Sequence, residues 1–242
     1  MTAMTAVRVG TSGYTYPEWK GSFYPPELPA SKMLAYYGER FSTVEVNYTF
    51  RRMPTAKTLA GWAGATPARF TFVLKAPQRI THFARLANVD EPVRFFADTA
   101  RALGPKLGPL FFQLPPTLKK ETGRLADTLY QLPPDVRCVF EFRHPSWFAD
   151  DVYEVLRARN AALCIADNEE GSTPVVVTAD FGYLRLRAVA YTDADLGRWV
   201  QTIREKGGGW GDAFVFFKHE ESASGPALAR RFETLLGPAL TR

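Results

Sequence analysis

Glu141 and Arg143 stand two residues apart at the end of an apolar run, in Arg137-Cys-Val-Phe-Glu-Phe-Arg-His-Pro-Ser-Trp147. Residues two apart in an extended strand point to the same face, so a carboxylate and a guanidinium converge where the run ends. A charge in such a place needs a partner or a task, because burying it unpaired is costly. The pattern recurs along the chain. Thr43-Val-Glu-Val-Asn47 sets Glu45 and Asn47 on one face and two valines on the other, and Phe70-Thr-Phe-Val-Leu-Lys75 ends in a lysine. Leu110-Phe-Phe-Gln113 ends in an amide, Ala162-Leu-Cys-Ile-Ala-Asp167 in an acid and Tyr183-Leu-Arg-Leu-Arg187 in two arginines, Arg185 and Arg187. Ser12 closes Val7-Arg-Val-Gly-Thr-Ser12, and Lys218 lies at the end of Ala213-Phe-Val-Phe-Phe-Lys218.

Brought together, these ends suit acid–base chemistry. Nearby cations keep one carboxylate ionised while burial keeps another protonated, so Glu45, Glu141 and Asp167 are the catalytic candidates. Lys75 joins them, since a strand-end lysine can hold an anion, pair with a carboxylate or form a Schiff base. Three acids against the five bases Lys75, Arg143, Arg185, Arg187 and Lys218 leave two positive charges in excess, which favours a carboxylate or phosphate ligand. Ser12, Asn47, Gln113 and His144 complete the polar set of ligand-binding candidates. Gly13-Tyr-Thr-Tyr-Pro-Glu-Trp19 adds an aromatic loop, in which Tyr14 and Trp19 either cap the strand ends or stack on a sugar or base. A divalent ion such as Mg²⁺ could sit on Glu45 or Asp167 with water. None is required, and His82, His144 and His219 lack metal-ligand spacing. Ser12, His144 and Asp167 do not by themselves make a nucleophilic triad. The alternative for the whole set is a ring of structural ion pairs.

Something must hold these residues at one end of the molecule. The apolar runs read as eight short strands, at 7–12, 43–47, 70–75, 110–114, 138–142, 162–167, 183–187 and 213–219. Helical patterns fall at 29–40, 54–63, 91–103, 124–131, 149–159, 195–206 and 228–236, and the triple glycine 207–209 marks a break. Alternating strands and helices predict an α/β fold, and eight units are the number that closes a TIM-type (β/α)8 barrel. Residues 168–180, with Gly171, Pro174 and three consecutive valines, lack an amphipathic pattern, so the sixth helix is expected to be missing or irregular. No linker divides the chain, which predicts a single barrel domain over 1–242. In such barrels chemistry lies at the C-terminal strand ends, and strands two and six would set Glu45 and Asp167 opposite one another.

Composition excludes little else. With 242 residues, 46% hydrophobic and 23% charged, the chain is ordinary for a globular protein, and no apolar run reaches the length of a membrane span. The first residues lack the pattern of a signal peptide, so a cytoplasmic protein with no membrane partner is expected. Cys138 and Cys164, each three residues before an acid, are expected as reduced, buried thiols on the face opposite that acid. The net charge of +5 mildly favours anionic partners. Gly10-Thr-Ser-Gly13 has neither Rossmann nor P-loop spacing.

Five motifs in order, Gly10-Thr-Ser-Gly-Tyr-Thr-Tyr16 with Trp19 and Gly21, Val44-Glu-Val-Asn47, Lys75-Ala-Pro77, Gln113-Leu-Pro-Pro116 and Glu141-Phe-Arg-His-Pro-Ser-Trp147, resemble the YecE-like family, domain of unknown function 72. The resemblance spans nearly the whole chain and implies a TIM-type barrel without implying a reaction. Where family members often end the seventh strand in Arg-x-His-Gly and the eighth in an asparagine pair, this chain has Arg185-Leu-Arg-Ala188 and Lys218-His219, which implies a more basic pocket. Three functions stay open. The first is an enzyme using acid–base or hydrolytic chemistry on a small anionic or sugar-like molecule, for which Glu141→Gln should remove activity and leave folding largely intact. The others are a nucleic-acid-binding or processing protein and a ligand-binding barrel without turnover.

Overall fold

The computed structural model describes residues 6–206, 209–218 and 224–241. The chain starts with strand β1 (Ala6–Ser12), helix α1 (Ala30–Gly38), β2 (Thr43–Val46), a single turn α2 (Tyr48–Arg51), α3 (Ala56–Gly64) and β3 (Thr71–Lys75). It continues through α4 (Asp90–Ala100), β4 (Leu107–Gln113), α5 (Thr122–Gln131), β5 (Cys138–Glu141) and α6 (Asp150–Ala158). The last part holds the short strands β6 (Ala162–Leu163), β7 (Ile165–Asn168) and β8 (Gly171–Ser172), then β9 (Phe181–Leu186), α7 (Asp193–Lys206), β10 (Asp212–Phe217) and α8 (Ser224–Leu236).

Local chemistry accounts for these boundaries. Thr55 caps α3, its hydroxyl accepting from the Thr58 amide at 3.2 Å, which satisfies one of the amides left open in a first turn. Asp90 and Glu91 open α4, where negative charge meets the positive end of the helix dipole. On that helix Val93, Phe96, Ala97 and Ala100 are buried, the three- and four-residue spacing of a core-facing stripe. The expected extension of this helix to residue 103 is replaced after Ala100 by a tighter 3-10 turn over Arg101–Lys106, where Gly104 turns at a positive φ of 56°. Between β7 and β9 there is no helix; the chain makes the antiparallel β7–β8 pair and then an irregular segment.

The ten strands form one sheet in the order β6-β5-β4-β3-β2-β1-β10-β9-β7-β8, parallel except at the β7–β8 pair. It is strongly curled. Arg185 on β9 bonds both Glu45 on β2 and Glu141 on β5, although β5 and β9 are far apart in the strand order. The observed architecture is therefore a mixed α/β fold built on a curled, mostly parallel sheet of half-barrel form. Gly10 allows β1 to lie close to β2, since a Cβ there would stand 2.1 Å from the Thr43 carbonyl oxygen.

Strand alternation divides the interior in two. Val44, Val46, Phe72, Leu74, Phe112 and Phe140 belong to the core that includes the helices. On the concave side, Val73, Phe111, Val139, Cys164, Tyr183, Phe214 and Phe216 form a second apolar cluster. At the strand starts, Asp212 pairs with Arg8 at 2.7 Å and Arg137 at 2.9 Å. No helix among the described residues is long and apolar enough to cross a membrane.

Candidate functional site

Above the concave apolar cluster lies a buried polar layer. Register explains how it assembles. Ser12 is paired with Glu45 across β1 and β2, and Gln113 with Glu141 across β4 and β5. At its centre is Arg185, only 1% exposed. Its guanidinium donates to Glu141 Oε2 at 2.5 Å and to Glu45 Oε1 at 2.9 Å, and it lies 4.7 Å from the centre of the Phe111 ring. Tyr183, two residues earlier on the same face, donates to Glu45 Oε2 at 2.6 Å, so both oxygens of Glu45 are engaged.

Glu141 is the second hub. Besides Arg185 it accepts from Gln113 Nε2 at 2.5 Å and from Arg143 Nε at 3.1 Å, with Arg187 Nη1 4.0 Å away. Burial opposes its ionisation, but the cations of Arg185, Arg143 and Arg187 outweigh that and draw its pKa down to about 2. At neutral pH it is a carboxylate with its lone pairs committed, an anchor for guanidinium groups rather than a proton donor.

Lys75 is bound differently. Its Nζ donates to the neutral Gln113 Oε1 at 2.8 Å and sits 4.4 Å from the centre of the Phe50 ring. Desolvation, followed by the Arg185 charge, lowers its pKa to about 8, with Glu45 and Glu141 pulling the other way. The neutral amine, the form required of a base or nucleophile, is thereby brought closer to neutral pH. Phe50 belongs to the one-turn helix α2, and Thr49 beside it donates to the Lys75 carbonyl at 2.6 Å.

The remaining candidates divide. Arg143 and Arg187 are part-exposed and, with Glu141, line a cleft of about 710 Å³ walled by Pro116, Phe148 and Glu169. Tyr14 and Asn47 instead line a separate cleft of about 860 Å³ with Tyr48, Arg51, Arg52 and Trp62. Ser12 Oγ, Asn47 Oδ1 and the Nε atoms of Arg185 and Arg187 are buried without a hydrogen-bond partner among the described residues. Lys218 follows β10, its amide donating to the Leu186 carbonyl at 3.3 Å; His219 lies outside the described residues.

Besides Glu141, held as an anchor, and Arg185, buried between two carboxylates, three expectations need correction. Asp167 does not face Glu45. Ala166 is the residue in register with Arg185, so Asp167 points the other way and accepts from Ser172 at 2.6 Å, Tyr191 at 2.9 Å and Trp199 at 3.1 Å, lining a cleft of about 330 Å³ against α7. Trp19 is not an open stacking surface; it is 1% exposed and packed among Tyr16, Phe23 and Tyr24. His144 shapes a turn, its Nδ1 accepting from the Ser146 amide at 3.2 Å, while Trp147 beyond it stacks on Phe142 at 4.6 Å and donates to the Leu118 carbonyl at 2.8 Å. No group of three His, Cys, Asp or Glu able to hold a metal occurs among the described residues.

Tyr183 and Phe50 are site residues that the strand-end pattern does not single out. Tyr183 had a signal, the two-residue alternation it shares with Arg185 and Arg187. A four-residue helix such as the one carrying Phe50 is too short to show any periodicity.

These features define a mixed α/β protein whose curled sheet carries a buried, cation-rich polar layer at the C-terminal ends of its strands. A family profile described as "Protein of unknown function DUF72" matches residues 8–242, and the chain belongs to that family. The UPF0759 protein YunF of Bacillus subtilis (strain 168) is 31% identical over 173 residues, covering 65% of this chain and 61% of that protein. The UPF0759 protein YecE of Escherichia coli (strain K12) is 30% identical over 144 residues, covering 59% and 50%. The matched part of the chain thus spans about half to three-fifths of the length of these curated relatives. A DUF72 family protein (TM1631) from Thermotoga maritima superposes with a TM-score of 0.82 at 24% identity, covering 96% of this chain and 99% of that one. A second (EF0366), from Enterococcus faecalis V583, gives 0.77 at 17% identity, covering 97% and 98%. At these identities the likeness is one of fold.

Proposed function

We propose that the chain is an enzyme that binds a small anionic substrate in the cleft over Glu141, Arg143 and Arg187 and acts on it by acid–base chemistry, with Lys75 as the proton-transferring group. The observation that carries this reading is the charge balance of the polar layer. Four cations, Lys75, Arg143, Arg185 and Arg187, meet two carboxylates, Glu45 and Glu141. The two acids neutralise the buried Arg185 and part of the rest, and of the remaining cations Arg143 and Arg187 border the cleft. The cleft lining mixes Arg143 and Arg187 with Glu141, Glu169 and Glu170, so the support for an anion is local to the two part-exposed guanidinium groups, whose fork suits carboxylate or phosphate.

The same reading includes closure of the sheet into one (β/α)8-type barrel domain. Its support is that β6 and β7 are separated only by Cys164, whose amide donates to the Phe140 carbonyl at 2.9 Å. The two short strands then act as one interrupted strand between β5 and β9. A second reading, ligand binding without turnover, is favoured by the full engagement of both carboxylates by protein groups.

Titration calorimetry with inorganic phosphate tests the site. Arg143→Met and Arg187→Met should each weaken binding by about tenfold, the loss of one charge-assisted hydrogen bond. Phosphate affinity equal to that of chloride at matched ionic strength, or unchanged in both variants, would refute the anion site. Recovery of every bound ligand chemically unchanged would favour the second reading.

A further inference from the structure

We propose that the cleft between the loop after β1 and the α2–α3 segment binds a free nucleotide, its base stacked on the cleft rings and its phosphate held by Arg51 and Arg52. This site is separate from the cleft over Glu141 and independent of the function proposed there.

The lining of one cleft carries the inference. Its volume of about 860 Å³ falls in the ~300–1,000 Å³ range of small-molecule sites. The walls combine the rings of Tyr14, Tyr48 and Trp62 with the guanidinium groups of Arg51 and Arg52, and no carboxylate among the described residues lines them. The cleft over Glu141, by contrast, carries Glu169 and Glu170 as well. Neither Arg51 nor Arg52 has an ion-pair partner among the described residues, whereas the exposed Arg101, Arg198 and Arg231 each pair with an aspartate. Tyr48 is 53% exposed, and Trp62 is steadied by stacking on Phe72 at 6.2 Å between ring centres. Aromatic side chains beside unpaired cations are the combination that takes up a base and the phosphate attached to it.

Asn47 supplies a polar contact in the same cleft. Its Oδ1 is buried and accepts no hydrogen bond among the described residues. A buried acceptor left without a donor is costly, and an N–H on the edge of a base satisfies it, a pairing for which an asparagine amide is suited. The groups around it are fixed in advance. Thr49 donates to the Val46 carbonyl at 3.1 Å and to the Lys75 carbonyl at 2.6 Å, which pins α2, and with it Tyr48 and Arg51, to β2 and β3. Across the cleft, the Tyr16 hydroxyl donates to the Ser12 carbonyl at 2.7 Å and the Tyr24 hydroxyl to the Tyr14 carbonyl, which closes the aromatic loop on itself. Such preorganisation lowers the cost of ordering a site on binding. A nucleotide has all three matching features: a flat ring, an N–H donor and an anion. A sugar phosphate lacks the ring, and an unphosphorylated nucleoside lacks the anion.

Titration calorimetry of the full chain with AMP tests the site, with adenosine and ribose 5-phosphate as its two halves. AMP should bind saturably, and each half at least about tenfold more weakly, the share of one stack or one charge-assisted contact. Tyr48→Ala and the double variant Arg51→Met/Arg52→Met change exposed positions; each should weaken AMP by about tenfold and leave the urea midpoint where it is. Asn47→Ala should weaken AMP as well, with a midpoint unchanged or raised, because it removes an unpaired buried acceptor. AMP binding no tighter than ribose 5-phosphate, or equal in the parent and both exposed-residue variants, overturns the proposal. Binding of a single-stranded octadeoxyadenylate tenfold tighter than AMP overturns the free nucleotide in favour of a strand. Loss of AMP binding in Arg143→Met and Arg187→Met, with the Arg51→Met/Arg52→Met chain unaffected, moves the ligand to the other cleft and overturns this site. Absence of AMP binding while inorganic phosphate still binds and still responds to Arg143→Met overturns this site alone and spares the one over Glu141.

Discussion

Replacing Glu141 by glutamine separates an anchor from an acid. In the folded protein its carboxyl is drawn from an ordinary 4.5 to about 2, with burial opposing and Arg185, Arg143 and Arg187 prevailing. Each tenfold in proton affinity is worth about 1.4 kcal/mol, so the ionised carboxylate contributes roughly 3 kcal/mol to stability at neutral pH. Truncating one partner of a buried pair costs ~3–5 kcal/mol by an independent route, because the other charge is left behind. Glu141→Gln leaves Arg185 with Glu45 alone and Arg143 without its carboxylate. The expected loss at pH 7 is therefore about 3 kcal/mol or more, a fall in Tm of roughly 10 °C for a chain of this size. Since the folded pKa is the depressed one, the contribution is fully present above pH 4.5 and disappears as pH falls toward 2. Urea denaturation of the parent and the variant should converge across that window. The double variant Glu141→Gln/Arg185→Met should lose less than the sum of the single losses, because removing Arg185 removes the stranded charge. A Glu141→Gln protein within about 0.5 kcal/mol of the parent at pH 7 would refute this reasoning, and would restore the expectation that Glu141 acts in chemistry and leaves folding untouched.

Two further outcomes follow from the same layer. Tyr183→Phe deletes the 2.6 Å donor to Glu45, a hydrogen bond to a charged group worth ~1.5–3 kcal/mol; equal urea midpoints for variant and parent would show that the phenol is dispensable. Both thiols should resist Ellman's reagent in the native state, since burial pushes Cys138 up to about 12 and burial with the Glu141 charge raises Cys164 as well. Labelling should appear with the unfolding transition in urea, and rapid stoichiometric reaction in buffer would contradict the buried placement.

Two-residue alternation was enough to predict most of the polar layer. It sets Glu141 beside Arg143 and Arg185 beside Arg187, and the structure brings Lys75, Gln113, Glu45, Glu141 and Arg185 into one connected network; Asn47, expected beside Glu45, lies past the end of β2 in helical backbone and lines the other cleft. What alternation cannot supply is the absolute face, and Asp167 shows the consequence. A polar strand end predicts an inward acid, yet on this strand the inward positions are Ala162, Cys164 and Ala166, while Leu163 and Ile165 join the core that includes the helices. The size pattern held the answer. The concave side at this point must leave room for Arg185, which register sets beside Ala166 and which spans to β2 and β5, so small residues belong inside and the acid goes out with the large ones.

The same reasoning explains why Arg185 could be read as a ligand clamp and turned out to be a keystone. From sequence, each arginine is a free cation facing a pocket; in the fold, only the distance along the strand distinguishes them. Arg185 is one layer deeper than Arg187, deep enough to meet Glu45 and Glu141 at once and to be shut away from solvent, whereas Arg187 retains 22% side-chain exposure and stands 4.0 Å from Glu141. A guanidinium that satisfies two buried carboxylates holds opposite arcs of a curled sheet together, and its charge is the second cause, after desolvation, of the lowered pKa of Lys75. Stability of this layer and the proton affinity of Lys75 are therefore linked through Arg185. A change that removes Arg185 should weaken the fold and, by taking away the neighbouring positive charge, return Lys75 toward the proton affinity of an ordinary lysine.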